Sequence, residues 1–304
     1  MLHSFNEWEK LREIVVGTAT NAHWPVNDPM FNLEAERTLW KETPLPHGPV
    51  PQWVIDETNE DLEQLCDILR DFGVSVLRPK DMNFAERDGM YNYCPRDRLL
   101  VAGNDVVDTA MMYPCRDMEI ENLQHVVNNA RNVHTMPRDQ DLILDAANIL
   151  RMNDKWLYLV SNSGNPAALK WLRNTFTDID IHPCTFYNGV HIDSTITVLR
   201  EGFVVLNGSR VNHQNCPSIF DGWLKLYVTD VKPQPFYNYP YASKWIALNM
   251  LSIDENTVIV DKWQTQLIKD LESMKFTVIP HELRHSRTLG GGFHCVTLDT
   301  IRKN

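Results

Sequence analysis

Ile149-Leu150-Arg151-Met152-Asn153-Asp154-Lys155-Trp156-Leu157-Tyr158-Leu159-Val160 reads as two β-rich runs joined by a turn at Asn153-Asp154. Asn and Asp tolerate the backbone a tight reversal needs, so such a pair between apolar runs signals a hairpin. Three more hairpins follow the same logic. Residues 99–101 turn through Gly103-Asn104 into 106–107, residues 195–199 turn at Glu201-Gly202 into 203–206, and residues 249–253 turn at 254–256 into 258–260. Turn positions 104, 154, 202 and 255 lie 50, 48 and 53 residues apart. A period of that length points to a propeller or similar radial array.

Working outward, the hairpins alternate with amphipathic helices and short β runs that end in proline. The helix predicted over 61–72 puts Leu62, Leu65, Cys66, Leu69 and Phe72 on one face, and Gly73 closes it. Residues 74–77 then run to Pro79. Helices over 117–131, 166–176 and 264–276 lead likewise to Pro137, Pro183 and Pro280. A fifth hairpin is missing, but residues 293–301 can pair with 11–17 and close a ring. The expectation is one α/β domain over 1–304, a five-bladed pseudo-symmetric propeller of ββαβ-like modules. An ordinary α/β sheet with coincidental spacing is the alternative.

Composition narrows the function. A formal net charge of −11, with no block of Lys or Arg, argues against a nucleic-acid face and for a small-molecule ligand, with a cationic one suited to the acidic balance. The six cysteines include no CxxC pair, so zinc ribbons and thioredoxin motifs are excluded, and free thiols in a reducing compartment are expected. No apolar stretch approaches the roughly 20 residues a membrane span needs. The first residues carry neither an apolar h-region nor an Arg-rich amphipathic start. The expected protein is soluble and cytoplasmic.

Residues just before the first hairpin strands are ionisable or nucleophilic: Asp97, Asp145, His191 with Asp193, and Cys295. Singly, each has an ordinary reading as a turn cap, a half-buried histidine or a packed thiol. At repeat-equivalent positions they would converge on one pocket. A cysteine beside a histidine can ionise below its free value of about 8.5, and a carboxylate on that histidine completes a nucleophile–base–orienter set. Two further carboxylates suit a guanidinium, whose fork of donors matches their geometry. Attack of the sulfur on the guanidinium carbon would give an amidino-cysteine.

These residues lie within motifs that resemble the arginine amidinotransferases, most of all the L-arginine:glycine amidinotransferases. The motifs run in order through Phe5-Asn6-Glu7-Trp8, Ile14-Val15-Val16-Gly17 and Met90-Tyr91-Asn92-Tyr93-Cys94-Pro95-Arg96-Asp97. They continue with Asp145-Ala146-Ala147, His191-Ile192-Asp193, Ser243-Lys244-Trp245 and Leu289-Gly290-Gly291-Gly292-Phe293-His294-Cys295. The resemblance implies a pentein-type five-module fold, no metal or organic cofactor, and a ping-pong reaction. It makes Cys295 the nucleophile that takes the amidino group from arginine and releases ornithine, His191 the proton carrier and Asp145 its orienter. Asp97 and Asp193 would hold the guanidinium, Arg210 and Ser243 the amino-acid carboxylate, while Tyr91 and Asn188 would line the pocket. Glycine is the expected acceptor, giving guanidinoacetate, with lysine or a natural-product precursor as alternatives. A homodimer is possible.

Three departures touch the acceptor more than the chemistry. Asn148 stands where the family carries a second aspartate, Ala242 replaces a serine, and Val190 stands where glycine-type members carry methionine. Two rivals remain. His281-Glu282-Leu283-Arg284-His285 fits the H-E-x-x-H of zinc metalloproteases, which requires a helix, yet Pro280 precedes it and three glycines follow soon after. A deiminase-type hydrolase would keep the fold and let water resolve the intermediate. Residues 207–241 and 281–292 are expected to be loops that gate the pocket, with the glycines as a hinge. The Pro-rich stretch 24–51 is expected to cover the pocket or make an oligomer contact.

Overall fold

In the computed structural model, which describes residues 1–38, 45–189 and 191–303, the four hairpins form where the turn residues put them. Leu99–Ala102 pairs antiparallel with Asp105–Asp108, Ile149–Met152 with Lys155–Leu159, Ile196–Arg200 with Phe203–Asn207, and Leu251–Asp254 with Thr257–Asp261. Each hairpin takes a third strand parallel to its second: Val133–Thr135, Asp180–Cys184, Leu224–Val228 and Thr277–His281 respectively. The fifth module joins the two ends of the chain. Leu11–Val16 runs antiparallel to Thr297–Arg302 and parallel to Ser75–Leu77. Among the described residues this makes five three-stranded sheets of one pattern, plus a small two-stranded ribbon of His23–Trp24 and Gly48–Pro49.

The third strands continue through prolines that had been read as their ends. Pro183 and Pro280 sit inside Asp180–Cys184 and Thr277–His281. Both strands are the outer member of their sheet. An edge strand has one row of N–H groups without a ladder partner, so a proline can sit there without loss of a hydrogen bond.

Parallel pairing requires a crossover, and the helices supply it. Gln52–Asp71, longer than the sequence pattern suggested, buries Val54, Ile55, Leu62, Leu65, Cys66 and Leu69 along one face. Phe72 instead ends that helix and is exposed. Pro166–Thr175 is capped by Asn165, whose side chain accepts from the Ala168 N–H at 2.9 Å. Thr265–Ser273 buries Leu267 and Leu271. The crossover expected over 117–131 is mostly 3-10, Pro114–Leu123, followed by one α-turn, Gln124–Val127. The third module has only the turn Ser218–Phe220, so much of the loop expected over 207–241 does connect rather than pack. It also contains the strand Leu224–Val228, whose side chains are mostly half-exposed.

A buried ionic network ties the modules together. Arg151, from the Ile149–Met152 strand of the second module, bonds Glu7 Oε1 at 3.0 Å and both carboxylate oxygens of Asp299 at 2.9 Å, and donates to Val101 O at 2.9 Å. Arg96 and Arg302 reach the same Asp299 at 2.6 and 2.7 Å. Burial opposes charge on Glu7 and Asp299, yet Arg151 and its neighbours hold both carboxyls well below their ordinary range.

Within the Pro-rich stretch, Trp24 meets Tyr239 edge-on at 5.2 Å and Phe31 meets Tyr113 at 5.6 Å. Residues 39–44 of that stretch, and Val190, lie outside the described residues. Among the described residues no helix is long and apolar enough to cross a membrane.

Candidate active site

The residues ahead of the strands do meet. Asp97 lies on the short helix Pro95–Arg98 that leads into its strand; Asp145 precedes the turn Ala146–Asn148. Asp145 makes no capping bond to that turn. One of its oxygens accepts from the Met112 N–H at 2.8 Å and the other meets His191 Nε2 at 3.0 Å. The remaining nitrogen of His191 faces Asp97 Oδ1 at 3.6 Å. Asp97, His191 and Cys295 present their polar atoms within 4.8 Å of one another. Carboxylate, imidazole and thiol could together hold a metal ion, but both nitrogens of this histidine are turned to carboxylates. That suits a proton carrier better than a ligand with a free lone pair.

A cavity of about 280 Å³ opens over this group. Tyr91, Asp97, Asp145 and His191 form one end; Arg210, Ser243, Ala242 and Arg287 lie in its wall. Asn188 is exposed and does not line it; Tyr187 and Gly189 of the same segment do. Asp193 and Cys295 sit behind that lining, both almost fully buried. Asp193 was expected to hold the guanidinium with Asp97. Its Oδ2 instead accepts from the Cys295 thiol at 3.2 Å and from His294 Nδ1 at 2.8 Å. His294 turns its other nitrogen to Glu7 at 3.2 Å, so it links the site to the ionic network.

Electrostatics separate the roles. Burial disfavours charge on His191, but Asp97, Asp145 and the thiol outweigh it and hold the imidazole well above its ordinary value. The Cys295 thiol is pushed well up by its contact with Cys94, by burial and by the Asp193 charge, with His191 pulling the other way. Burial raises the Asp97 carboxyl, against His191 and Arg116. Arg116 donates to Asp97 Oδ2 at 2.8 Å, while Asp97 Oδ1 is buried with no hydrogen-bond partner.

The two cations differ from the other buried arginines. Arg210 donates to Thr195 Oγ1 at 2.7 Å and lies 4.4 Å over the Tyr187 ring. Arg287 donates to the carbonyls of Ala242 and Gln234 at 3.1 and 3.0 Å. Neither forms a salt bridge with a carboxylate among the described residues. Ser243 caps the turn Lys244–Leu248, its hydroxyl accepting from the Trp245 N–H at 3.3 Å, and Tyr91 donates to Leu289 O at 3.0 Å.

Sequence reasoning missed Arg116, Arg287 and Asn249. Asn249 Oδ1 accepts from the N–H groups of His294 and Cys295 at 2.8 and 3.0 Å, and its Nδ2 lies 3.1 Å from the Cys295 sulfur. It stands two residues before Leu251, as Asp97 stands before Leu99 and Cys295 before Thr297. The repeat therefore held the signal for the fourth module. The expected mobile gate over 281–292 is instead largely buried. Arg284 bonds Asp61 at 2.8 Å, and Ser286 bonds Gln234 at 2.9 Å. A Cβ on Gly291 would fall 2.5 Å from Cys94 Sγ, so that glycine serves close packing, not a hinge. The metalloprotease rival fails here as well. His281 ends a strand and faces Asp61 O at 3.0 Å, while His285 meets Glu57 at 2.8 Å.

No protein-family model matches the chain. Inosamine-phosphate amidinotransferase 1 of Streptomyces griseus is 36% identical, over 98% of this chain and 96% of that protein. The mitochondrial glycine amidinotransferase of Xenopus tropicalis is 30% identical, over 99% and 82%. The solved structure of a Streptomyces griseus inosamine-phosphate amidinotransferase superposes with a TM-score of 0.91, covering 100% of this chain and 97% of that one at 32% identity. The N-terminal domain of a cyanobacterial arginine dihydrolase, at a TM-score of 0.70 and 14% identity, shares the α/β fold alone. With likeness of this extent along the whole chain, the protein belongs to the arginine amidinotransferase family.

Proposed function

We propose that this chain moves the amidino group of L-arginine, through a covalent amidino-cysteine on Cys295, to an amine that carries its own anionic group. The observation that carries this is the cluster of Asp97, His191 and Cys295 within 4.8 Å, with His191 held by Asp145 at 3.0 Å. The guanidinium binds against the unpartnered Asp97 oxygen, and its positive charge favours ionised sulfur beside it. Cys295 adds to the guanidinium carbon. His191 protonates the departing nitrogen, the carbon–nitrogen bond breaks, and ornithine leaves. The acceptor amine then loses a proton to His191 and attacks the amidino carbon, and the carbon–sulfur bond breaks to return the thiolate. A buried, ion-paired imidazole suits both transfers. Asp193 acts on the thiol from behind, and Arg210 with Ser243 takes the α-carboxylate of arginine.

The acceptor reading moves away from glycine. Two guanidiniums without a carboxylate partner, Arg210 and Arg287, line one cavity, whereas the glycine carboxylate needs only one. A phosphate monoester carries nearly two charges at neutral pH and three strong acceptor oxygens. The 36% identity to an inosamine-phosphate enzyme, against 30% to a glycine enzyme, points the same way. In this reading the five sheets stand around a pseudo-fivefold axis as one domain over 1–304, and the partners are small molecules. A cytoplasmic homodimer is the form we propose.

The test is to incubate the protein with arginine and an amine panel: an aminocyclitol phosphate, its dephosphorylated form, glycine and lysine. Guanidino products are identified by mass spectrometry. Guanidinylated aminocyclitol phosphate with equimolar ornithine is expected. Guanidinoacetate as the main product would restore glycine as acceptor, and citrulline with ammonia would establish a hydrolase. Cys295→Ser should abolish turnover yet still bind arginine.

A further inference from the structure

We infer that Asn249 is a catalytic residue of this site: its side-chain amide donates to the Cys295 sulfur and stabilises the thiolate both as it attacks and as it leaves. The inference rests on Cys295 being the nucleophile. Asn249 is 1% exposed, on the turn that leads into Leu251–Asp254. Which end of an amide faces which neighbour is ordinarily a matter of assignment. Here it is forced. Two backbone N–H groups, those of His294 and Cys295, point at one atom of the amide from 2.8 and 3.0 Å. That atom has to be the carbonyl oxygen. The NH₂ group is thereby turned to the sulfur, 3.1 Å away.

The rest of the surroundings explains why such a donor is needed. Sulfur meets an acceptor, Asp193 Oδ2, at 3.2 Å, and the thiol is buried. Both features resist ionisation. His191 can favour the thiolate only while it holds its proton, yet the mechanism asks it to give that proton to the leaving nitrogen. At that moment the sulfur is bonded to carbon. When sulfur later leaves the second adduct, its charge develops again beside Asp193, and the state of His191 depends on the proton it has just taken up. Asn249 has no proton to lose. Its donor stays aimed at the sulfur through both half-reactions, as preorganised donors do where charge develops.

The backbone is built around this contact. The Phe293 N–H donates to Asn249 O at 2.9 Å, so three consecutive N–H groups, of residues 293 to 295, converge on Asn249. A Cβ on Gly292 would lie 2.6 Å from the Asn249 Cβ, which leaves that position to glycine. Asn249 also completes the repeat: three modules put a polar or nucleophilic side chain two residues before the strand, Asp97, Asn249 and Cys295, and all three gather on the sulfur or the guanidinium site.

The experiment is the pH dependence of Cys295 alkylation by iodoacetamide in the intact protein, read on the peptide carrying Cys295, for the parent, Asn249→Asp and Asn249→Ala. No arginine or acceptor is needed, so the result stands apart from the identity of the reaction. Asn249→Asp keeps the shape and the acceptor for the two N–H groups but replaces the donor with a negative charge. It should fold as the parent does by circular dichroism and shift the alkylation profile to higher pH. At neutral pH its alkylation should be about ten- to a hundredfold slower. Asn249→Ala should shift the profile less. A folded Asn249→Asp with the parent's profile would overturn the assignment. So would slower alkylation without a change in pH dependence, which would mark a change of access only.

Discussion

Burial disfavours charge on His191, three neighbours outweigh it, and Asp145 is the one that touches the ring directly. Asp145→Asn keeps the shape and loses the charge. Turnover should fall by roughly 10²- to 10⁴-fold, the range general acid–base groups supply, with arginine binding little changed by calorimetry. Stability carries the same signature with a definite sign. The native imidazole titrates above its unfolded value of about 6.5. Its stabilisation is therefore complete below that value and is lost as pH rises through the native one. The gap in urea midpoint between parent and Asp145→Asn should be widest at pH 6 and narrow toward the alkaline end. Arg287 makes a separate claim. Arg287→Ala should leave ornithine release in the first half-reaction intact and raise KM for a phosphorylated acceptor about ten- to a hundredfold, as loss of a hydrogen bond to a charged group predicts. An equal loss in both half-reactions would instead place Arg287 with arginine binding.

At the scale of elements, the loop before the last strand behaves as packed core. Gly291→Ala would press a methyl onto Cys94 Sγ at 2.5 Å and Tyr93 Cε1 at 3.0 Å, 3.3 Å from the Cys295 Cβ. Overpacking of this kind costs about 1–3 kcal/mol, and a urea titration of Gly291→Ala should show it together with a loss of Cys295 reactivity. A hinge would have tolerated alanine with little change in stability. Such contacts explain what was legible beforehand. Hairpins were readable because Asn153-Asp154 and Glu201-Gly202 punctuate apolar runs, and their spacing placed Asp97, Asp145 and Cys295 within four residues ahead of their strands. Leu224–Val228 was not readable although Leu224, Leu226 and Val228 alternate with Lys225 and Tyr227, since five residues with no amphipathic helix before them make too short a pattern. Asn249 escaped because asparagine before a strand is usual turn chemistry. Asp193 was assigned to the guanidinium by resemblance, and only coordinates show its oxygen turned to the thiol and His294. Arg287 lay in a segment read as a gate, where a cation suggests solvent.

For the whole molecule, the joining of first and last strands means that both ends of the chain support the site. Cys295 stands two residues before the strand that pairs with Leu11–Val16, and Glu7 reaches His294. Arg151 is the shared partner of this closure, bonding Glu7 and Asp299 from a different sheet. Removing one member of a buried ion network leaves the rest uncompensated, at a cost of about 3–5 kcal/mol. Arg151→Ala should lose that much by urea unfolding at pH 7, although residue 151 lies outside the cavity. The pH dependence separates charge from packing. Glu7 and Asp299 titrate below their unfolded values in the native state. The stability they contribute is present above about pH 4 and is lost as pH falls through the native values. The parent should therefore lose stability on acidification while Arg151→Ala, which has already lost this pairing, changes less, so that the gap between the two curves begins to narrow as pH falls below about 4. Parallel curves would mean that Arg151 acts through packing of its side chain, and that closure of the chain rests on the strand ladder alone.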